Sequence, residues 1–183
     1  MNTDLKPGDV LFTSSDRLLG RLIRWGERSP GEQEPDVNHA AIVVEGGDFK
    51  DAIIIEALKV VERNNLFVSH GADLVFGYRA KTLPLIVINE IVKSAERRVG
   101  EGYGYLEILS QLVDSKVFGG RVVFRNAGLV DKKPICSRLV AECYGVQGVT
   151  FGIPSQAADP DTMHQFCDAH PELWDLVLDY SPE

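Results

Sequence analysis

The run Ile53-Ile54-Ile55-Glu56-Ala57 constrains this chain more than any other segment. Successive strand residues point to opposite faces, so consecutive isoleucines demand apolar cover on both sides of a sheet. Their β-branched side chains favour extended backbone. The carboxylate that follows is costly to bury without a partner. The chain must therefore build layers on both faces of this strand. It must also give Glu56 a bonding partner, either a histidine or an arginine such as Arg63 or Arg79.

Other segments supply the rest of a sheet. His39 to Val44 is small and β-branched, and Gly46-Gly47-Asp48 provides turn residues before the strand Ala52 to Ala57, which predicts an antiparallel pair. Asp9 to Thr13 follows the turn signal Lys6-Pro7-Gly8. Lys59 to Glu62, Leu74 to Arg79 and Leu173 to Tyr180 read as further strands, for a sheet of about five or six. Helical spacing recurs in Leu18, Leu19, Leu22, Ile23 and Trp25, and in Leu85, Ile88, Val92, Ala95 and Val99 behind Pro84. Tyr105 to Val117 and about Asp161 to Ala169 also read as helices. Glu27 to Val37 is a polar loop with Pro30, Gly31 and Pro35, and Gly119 to Lys133 is irregular. The expected architecture is α+β, one domain over residues 1–183.

The 183 residues suit one compact domain with a real core and no need of disulfide or metal staples. A formal net charge of −8, from 19 basic and 27 acidic side chains, argues against a nucleic-acid partner, which calls for a basic surplus. The densest basic cluster, Arg17, Arg21, Arg24 and Arg28, reads as a solvated helix face beside the acidic Glu32, Glu34 and Asp36. The three cysteines, Cys136, Cys143 and Cys167, form no disulfide framework. With no signal peptide and no apolar run long enough to cross a bilayer, the expected location is the cytoplasm, without stable membrane insertion.

Cys136 carries the chemistry. Cys136, Leu139, Val140, Cys143 and Tyr144 recur at helical spacing, which puts Cys136 on the inward face near a first turn, behind Pro134. Unpaired amides at a helix start favour an anion, so a thiol there titrates below its ordinary value of about 8.5. Lys132-Lys133 adds positive charge, and the Cys136 amide can donate to a developing oxyanion. A thiol nucleophile needs a base, and His39, opening a strand behind the polar loop, is the leading candidate. Glu56, on the neighbouring strand, can orient the imidazole.

Gly8-Asp9-Val10-Leu11-Phe12, Asn38-His39-Ala40-Ala41-Ile42-Val43, Ile55-Glu56-Ala57 and Cys136-Ser137-Arg138-Leu139-Val140, in this order, resemble the circularly permuted branch of the NlpC-type papain-like superfamily. The nearest likeness is to its YiiX-like group, with lecithin:retinol acyltransferases more distant. In that branch the histidine strand precedes the cysteine helix, as here. The resemblance covers roughly Lys6 to Pro160. It implies a papain-like permuted domain, with an antiparallel, partly barrel-like sheet and the cysteine helix packed across it. It further implies a cysteine hydrolase or acyltransferase working through a thioester acyl-enzyme, with Cys136 as nucleophile, His39 as base and Glu56 as third polar residue. Tyr103 and Tyr105, with Asn38 and Ser137, are candidates for the oxyanion hole or substrate contacts. The substrate would be a peptide, another amide or a lipid acyl group, and no cofactor is implied.

Competing readings are weaker. His164, Cys167 and His170 recur at three-residue spacing with Asp161, but lack the four converging ligands of a structural zinc site, so no metal is expected. His70 reads as a solvated turn residue in Ser69-His70-Gly71. The Gly100-Glu101-Gly102-Tyr103-Gly104 stretch lacks the ending of a phosphate loop, and no serine elbow surrounds Ser137. The main alternative is a non-catalytic binding module on the same fold, recognising a cell-wall peptide, a lipid head group or a protein.

Overall fold

The computed structural model describes residues 4–14, 36–58, 60–102 and 136–182. The expected helix over Leu18 to Trp25, the loop before Asp36, the helix Tyr105 to Val117 and the irregular segment Gly119 to Lys133 lie outside the described residues. So do the arginine cluster, Tyr103, Tyr105, Lys132, Lys133 and Pro134.

Among the described residues six strands form one antiparallel sheet: β1 (Val10–Ser14), β2 (His39–Glu45), β3 (Ile53–Ala57), β4 (Val61–Asn65), β5 (Leu74–Ala80) and β6 (Trp174–Tyr180). Their order across the sheet is β4-β3-β2-β1-β5-β6. Among the described residues the sheet is open, with β4 and β6 as its edges, so the partly barrel-like closure expected from the sequence is corrected. Closing a barrel requires those two edges to pair. Four helices are described: α1 (Leu66–His70), α2 (Leu85–Glu96), α3 (Cys136–Gly145) and α4 (Pro160–Ala169), with a 3₁₀ turn at Ser155–Ala157.

The isoleucine run behaves as its pattern requires. Ile55 faces a layer containing Phe12, Ile42, Leu139, Val140, Tyr144 and Met163. Ile54 faces the opposite layer, with Leu11, Val43, Leu66 and Val75. Both are fully buried. Burying one such side chain is worth roughly 1.5–3 kcal/mol, so β3 is anchored from both sides. The first layer is built on α3, which lies against β2, and the second on α1 and the chain ends of the sheet.

Helix starts follow local chemistry. Asn65 caps α1 by accepting from the Val68 N–H at 3.0 Å. Asp159 caps α4 by accepting from the Thr162 N–H at 2.8 Å, and Pro160 takes the first helical position. Among the described residues, no helix is long and apolar enough to cross a membrane.

Candidate functional site

β2 and β3 place the first two site residues. Ala41 stands opposite Glu56 in their register, and His39 lies two residues along β2 from Ala41 on the same face. Such diagonal neighbours are within reach of long side chains. His39 Nε2 meets Glu56 Oε2 at 2.7 Å, and Glu56 is fully buried. Asn64, diagonal to Glu56 across β3 and β4, donates to Glu56 Oε1 at 2.9 Å. The arginines considered for Glu56 are engaged elsewhere: Arg63 with Glu45 and Glu96, Arg79 with Asp9.

Cys136, the first described residue of α3, hydrogen-bonds the same imidazole through its side chain. With Nε2 committed to Glu56, Nδ1 is the ring nitrogen left for the sulfur. The backbone N–H groups of Ala40 and Ser137 also reach that sulfur. The β2–β3 pairing begins at Ala41, one residue beyond Ala40. Thiol, imidazole and carboxylate thus form a continuous hydrogen-bonded series, nearly all of it buried.

The electrostatics follow from these contacts. Burial pushes the Cys136 thiol up, but the His39 cation, its hydrogen bond and the two amides outweigh this and leave it lowered. Burial opposes a charge on His39, yet the Cys136 thiolate and Glu56 hold the proton on and push it up to about 10. Burial likewise opposes the Glu56 carboxylate, and the hydrogen bonds from His39 and His70 hold it well below the usual carboxylate range. At Cys143 burial outweighs a hydrogen bond from Ser94 and the charge of Arg98, at Cys167 burial and Asp168 act together, and both thiols are pushed up. Of the three thiols, Cys136 is the one held below its ordinary value.

His70 overturns its sequence reading. It is buried, not solvated: capping by Asn65 forms α1, which turns the ring under the sheet. Its Nε2 lies 2.9 Å from Glu56 Oε2, its Nδ1 lies 2.9 Å from Asp73 Oδ2, and its ring stacks on His39 with centroids 5.5 Å apart. The His-x-x-Asp spacing of 70 and 73 was the signal available in the sequence.

Other candidates fare differently. The Ser137 hydroxyl donates to the Ala158 carbonyl at 2.7 Å and is buried, so it faces the 3₁₀ turn. Asn38 is buried just before β2, and its backbone N–H donates to the Thr13 carbonyl at 2.9 Å. His164 packs among Phe12, Phe76 and Tyr78, and the His170 Nδ1–H donates to the Phe166 carbonyl, so the residues at three-residue spacing do not converge. Among the described residues, the group whose ligand atoms do converge is His39, Glu56 and His70, all within 4.8 Å of one another.

Fold and site together define an α+β protein in which the start of α3 meets one end of β2 and β3 to form a thiol–imidazole–carboxylate series. The structure is similar to the crystal structure of the metalloprotein YiiX from Escherichia coli O157:H7, with a TM-score of 0.54 and 18% sequence identity over 81% of this chain and 70% of that one. The fold is YiiX-like. The sequence matches no protein-family profile, and no curated protein matches it.

Proposed function

We propose that the protein is a thiol hydrolase or acyltransferase, with Cys136 as nucleophile, His39 as general base and acid, and Glu56 as the group orienting the imidazole. The observation behind this reading is the buried, hydrogen-bonded series from Cys136 through His39 to Glu56. In the reaction the Cys136 sulfur attacks the carbonyl carbon of an amide, ester or thioester. The His39 proton passes to the leaving amine, alcohol or thiol as its bond to carbon breaks. Water or a second acceptor then gives its proton to His39 and releases the acyl group from sulfur. The Ala40 and Ser137 amides, already turned to the sulfur, are the donors nearest the developing charge. The substrate class is an acyl compound: a peptide, another amide or a lipid ester.

The test is iodoacetamide labelling at pH 7, read by mass spectrometry at each cysteine. Cys136 is expected to label fastest and to slow in His39→Ala. Labelling of Cys136 at the rate of Cys143 and Cys167 would leave a binding module as the better reading.

A second reading has its own observation. YiiX is described as a metalloprotein, and His39, Glu56 and His70 offer converging ligand atoms here. A divalent cation held there would supply Lewis-acid polarisation of a carbonyl. Turnover that survives Cys136→Ala would favour this reading over the thiol.

A further inference from the structure

Hydrogen-bond accounting around His70 does not close with neutral groups. A neutral imidazole carries one N–H and one lone pair. Both ring nitrogens of His70 face carboxylate oxygens, Asp73 Oδ2 and Glu56 Oε2, each at 2.9 Å. Both contacts are hydrogen bonds only while His70 carries a proton on each nitrogen; with Nδ1–H alone donating to Asp73, its Nε2 lone pair faces the Glu56 oxygen that His39 Nε2 also faces at 2.7 Å. Two nitrogens and one oxygen then converge on a space that needs a positive charge.

A second observation lies on the same face. Thr13 is the direct cross-strand neighbour of His39. Its Oγ1 is fully buried and has no hydrogen-bond partner among the described residues. Side chains of directly paired residues share one face of the sheet, with Cβ atoms roughly 5 Å apart. An orphaned hydroxyl costs about 1–3 kcal/mol, so its retention opposite His39 points to an occupant that it can serve.

From these groups we propose that His39 Nε2, Glu56 Oε2 and His70 Nε2 form a binding site for a zinc-class divalent cation, with Asp73 orienting His70. Two imidazoles and one carboxylate suit such borderline cations, whereas calcium and magnesium favour all-oxygen shells. A carboxylate on the far nitrogen of a ligating histidine is the usual supporting arrangement, and Asp73 stands in that position. Asn64 holds the other Glu56 oxygen and leaves Oε2 for the ion. Bond lengths of about 2.0–2.2 Å and tetrahedral angles place ligand atoms about 3.3 Å apart. The Glu56 carboxylate therefore withdraws by roughly half an ångström from its present contacts on loading.

Loading has a consequence for the thiol. The ion takes the His39 Nε2 lone pair, and any proton there leaves to solvent. The remaining ring proton sits on Nδ1, which can then donate to Cys136 but cannot accept from it. A loaded site and a working thiol–imidazole couple exclude each other. The metal site shares His39 and Glu56 with the proposed thiol chemistry, yet its formation does not require Cys136 to be a nucleophile.

The experiment is equilibrium dialysis of the full chain against Zn²⁺, with Co²⁺ absorption as a second readout. One ion per chain is expected, with a tetrahedral Co²⁺ spectrum lacking a thiolate charge-transfer band. Affinity should fall more than 100-fold in His70→Ala, by about 10–100-fold in Asp73→Asn, and by less than threefold in Cys136→Ala. In the zinc-loaded protein, long-range ¹H–¹⁵N spectra should show His39 Nδ1 as the protonated nitrogen. Circular dichroism checks that each variant is folded, and Asp73→Asn serves if His70→Ala is not. Equal affinity in wild type and both site variants would overturn the proposal, as would loss of binding in Cys136→Ala, which would put the ion on the thiol. Because binding is read without substrate or alkylation, a failed metal site and a failed thiol mechanism give different results.

Discussion

At the scale of single residues, Glu56 is the pivot. It accepts from His39, His70 and Asn64 while fully buried. Replacing it with glutamine keeps the shape but turns an amide N–H₂ toward groups that donated to a carboxylate. Glu56→Gln is therefore expected to cost about 2 kcal/mol of stability in urea denaturation. Any turnover should fall less than in His39→Ala, because the base itself remains. An equal or greater loss in Glu56→Gln would show that the carboxylate does more than orient the ring. Cys136→Ala is expected to abolish turnover while leaving the unfolding free energy within about 1 kcal/mol of wild type, since it exchanges one small buried group for another. Much of this site was legible in the chain. A carboxylate after three isoleucines demanded a partner, and a histidine at the start of the next strand could reach it. His70 was not legible in the same way, because burial of a polar ring under a sheet leaves no periodic signal.

At the scale of elements, local signals predicted most strands and the helices α2, α3 and α4. The five-residue α1 escaped, since so short a helix shows no repeat and depends on the Asn65 cap. Yet α1 carries His70, so the missed element is the one that enlarges the site. The β5–β6 ribbon shows another contact-dependent feature. A Cβ on Gly77 would lie 2.9 Å from Leu178 Cβ and 3.0 Å from Leu11 Cδ2, next to the register shift between Gly77 and Tyr78. Gly77→Ala is expected to destabilise the protein by about 1–3 kcal/mol. Hydrogen exchange should show the loss first in the edge strand β6; faster exchange in β3 alone would contradict this placement.

At the scale of the whole molecule, the chain's start is tied to its later strands through Asp9. Arg79, on β5, donates to both Asp9 oxygens at 2.8 and 2.7 Å, and the Lys6 N–H adds a third bond at 2.8 Å. The Tyr144 hydroxyl of α3 donates to the Gly8 carbonyl, so the same turn is held by the helix that carries Cys136. Burial pushes the Asp9 carboxyl up despite the pull of Arg79. A raised acid contributes its stability below its ordinary value and loses it as pH rises through the folded value. Arg79→Ala removes the pull and leaves a buried carboxylate with one backbone donor. The expected cost at pH 7 is about 2–3 kcal/mol, below the range for a wholly buried pair because the guanidinium is partly exposed. The deficit should shrink as pH falls toward the carboxyl range, where protonated Asp9 needs no cation. A deficit that is constant with pH would place the effect in packing.

The isoleucine run, the alternating strands and the helical cysteine segment were decided by the sequence, because side-chain period and burial demand are local properties. The order His39, Glu56, Cys136 along the chain pointed to thiol chemistry through its resemblance to the permuted papain-like branch, each residue sitting in an element readable on its own. The open sheet, the capture of His70 and Asp73, and the turning of Ser137 toward Ala158 were decided only by the tertiary structure. These depend on which strand edges meet and on which buried polar groups find each other across the fold, and apart from the His-x-x-Asp spacing of 70 and 73 such pairings leave no trace within any one segment.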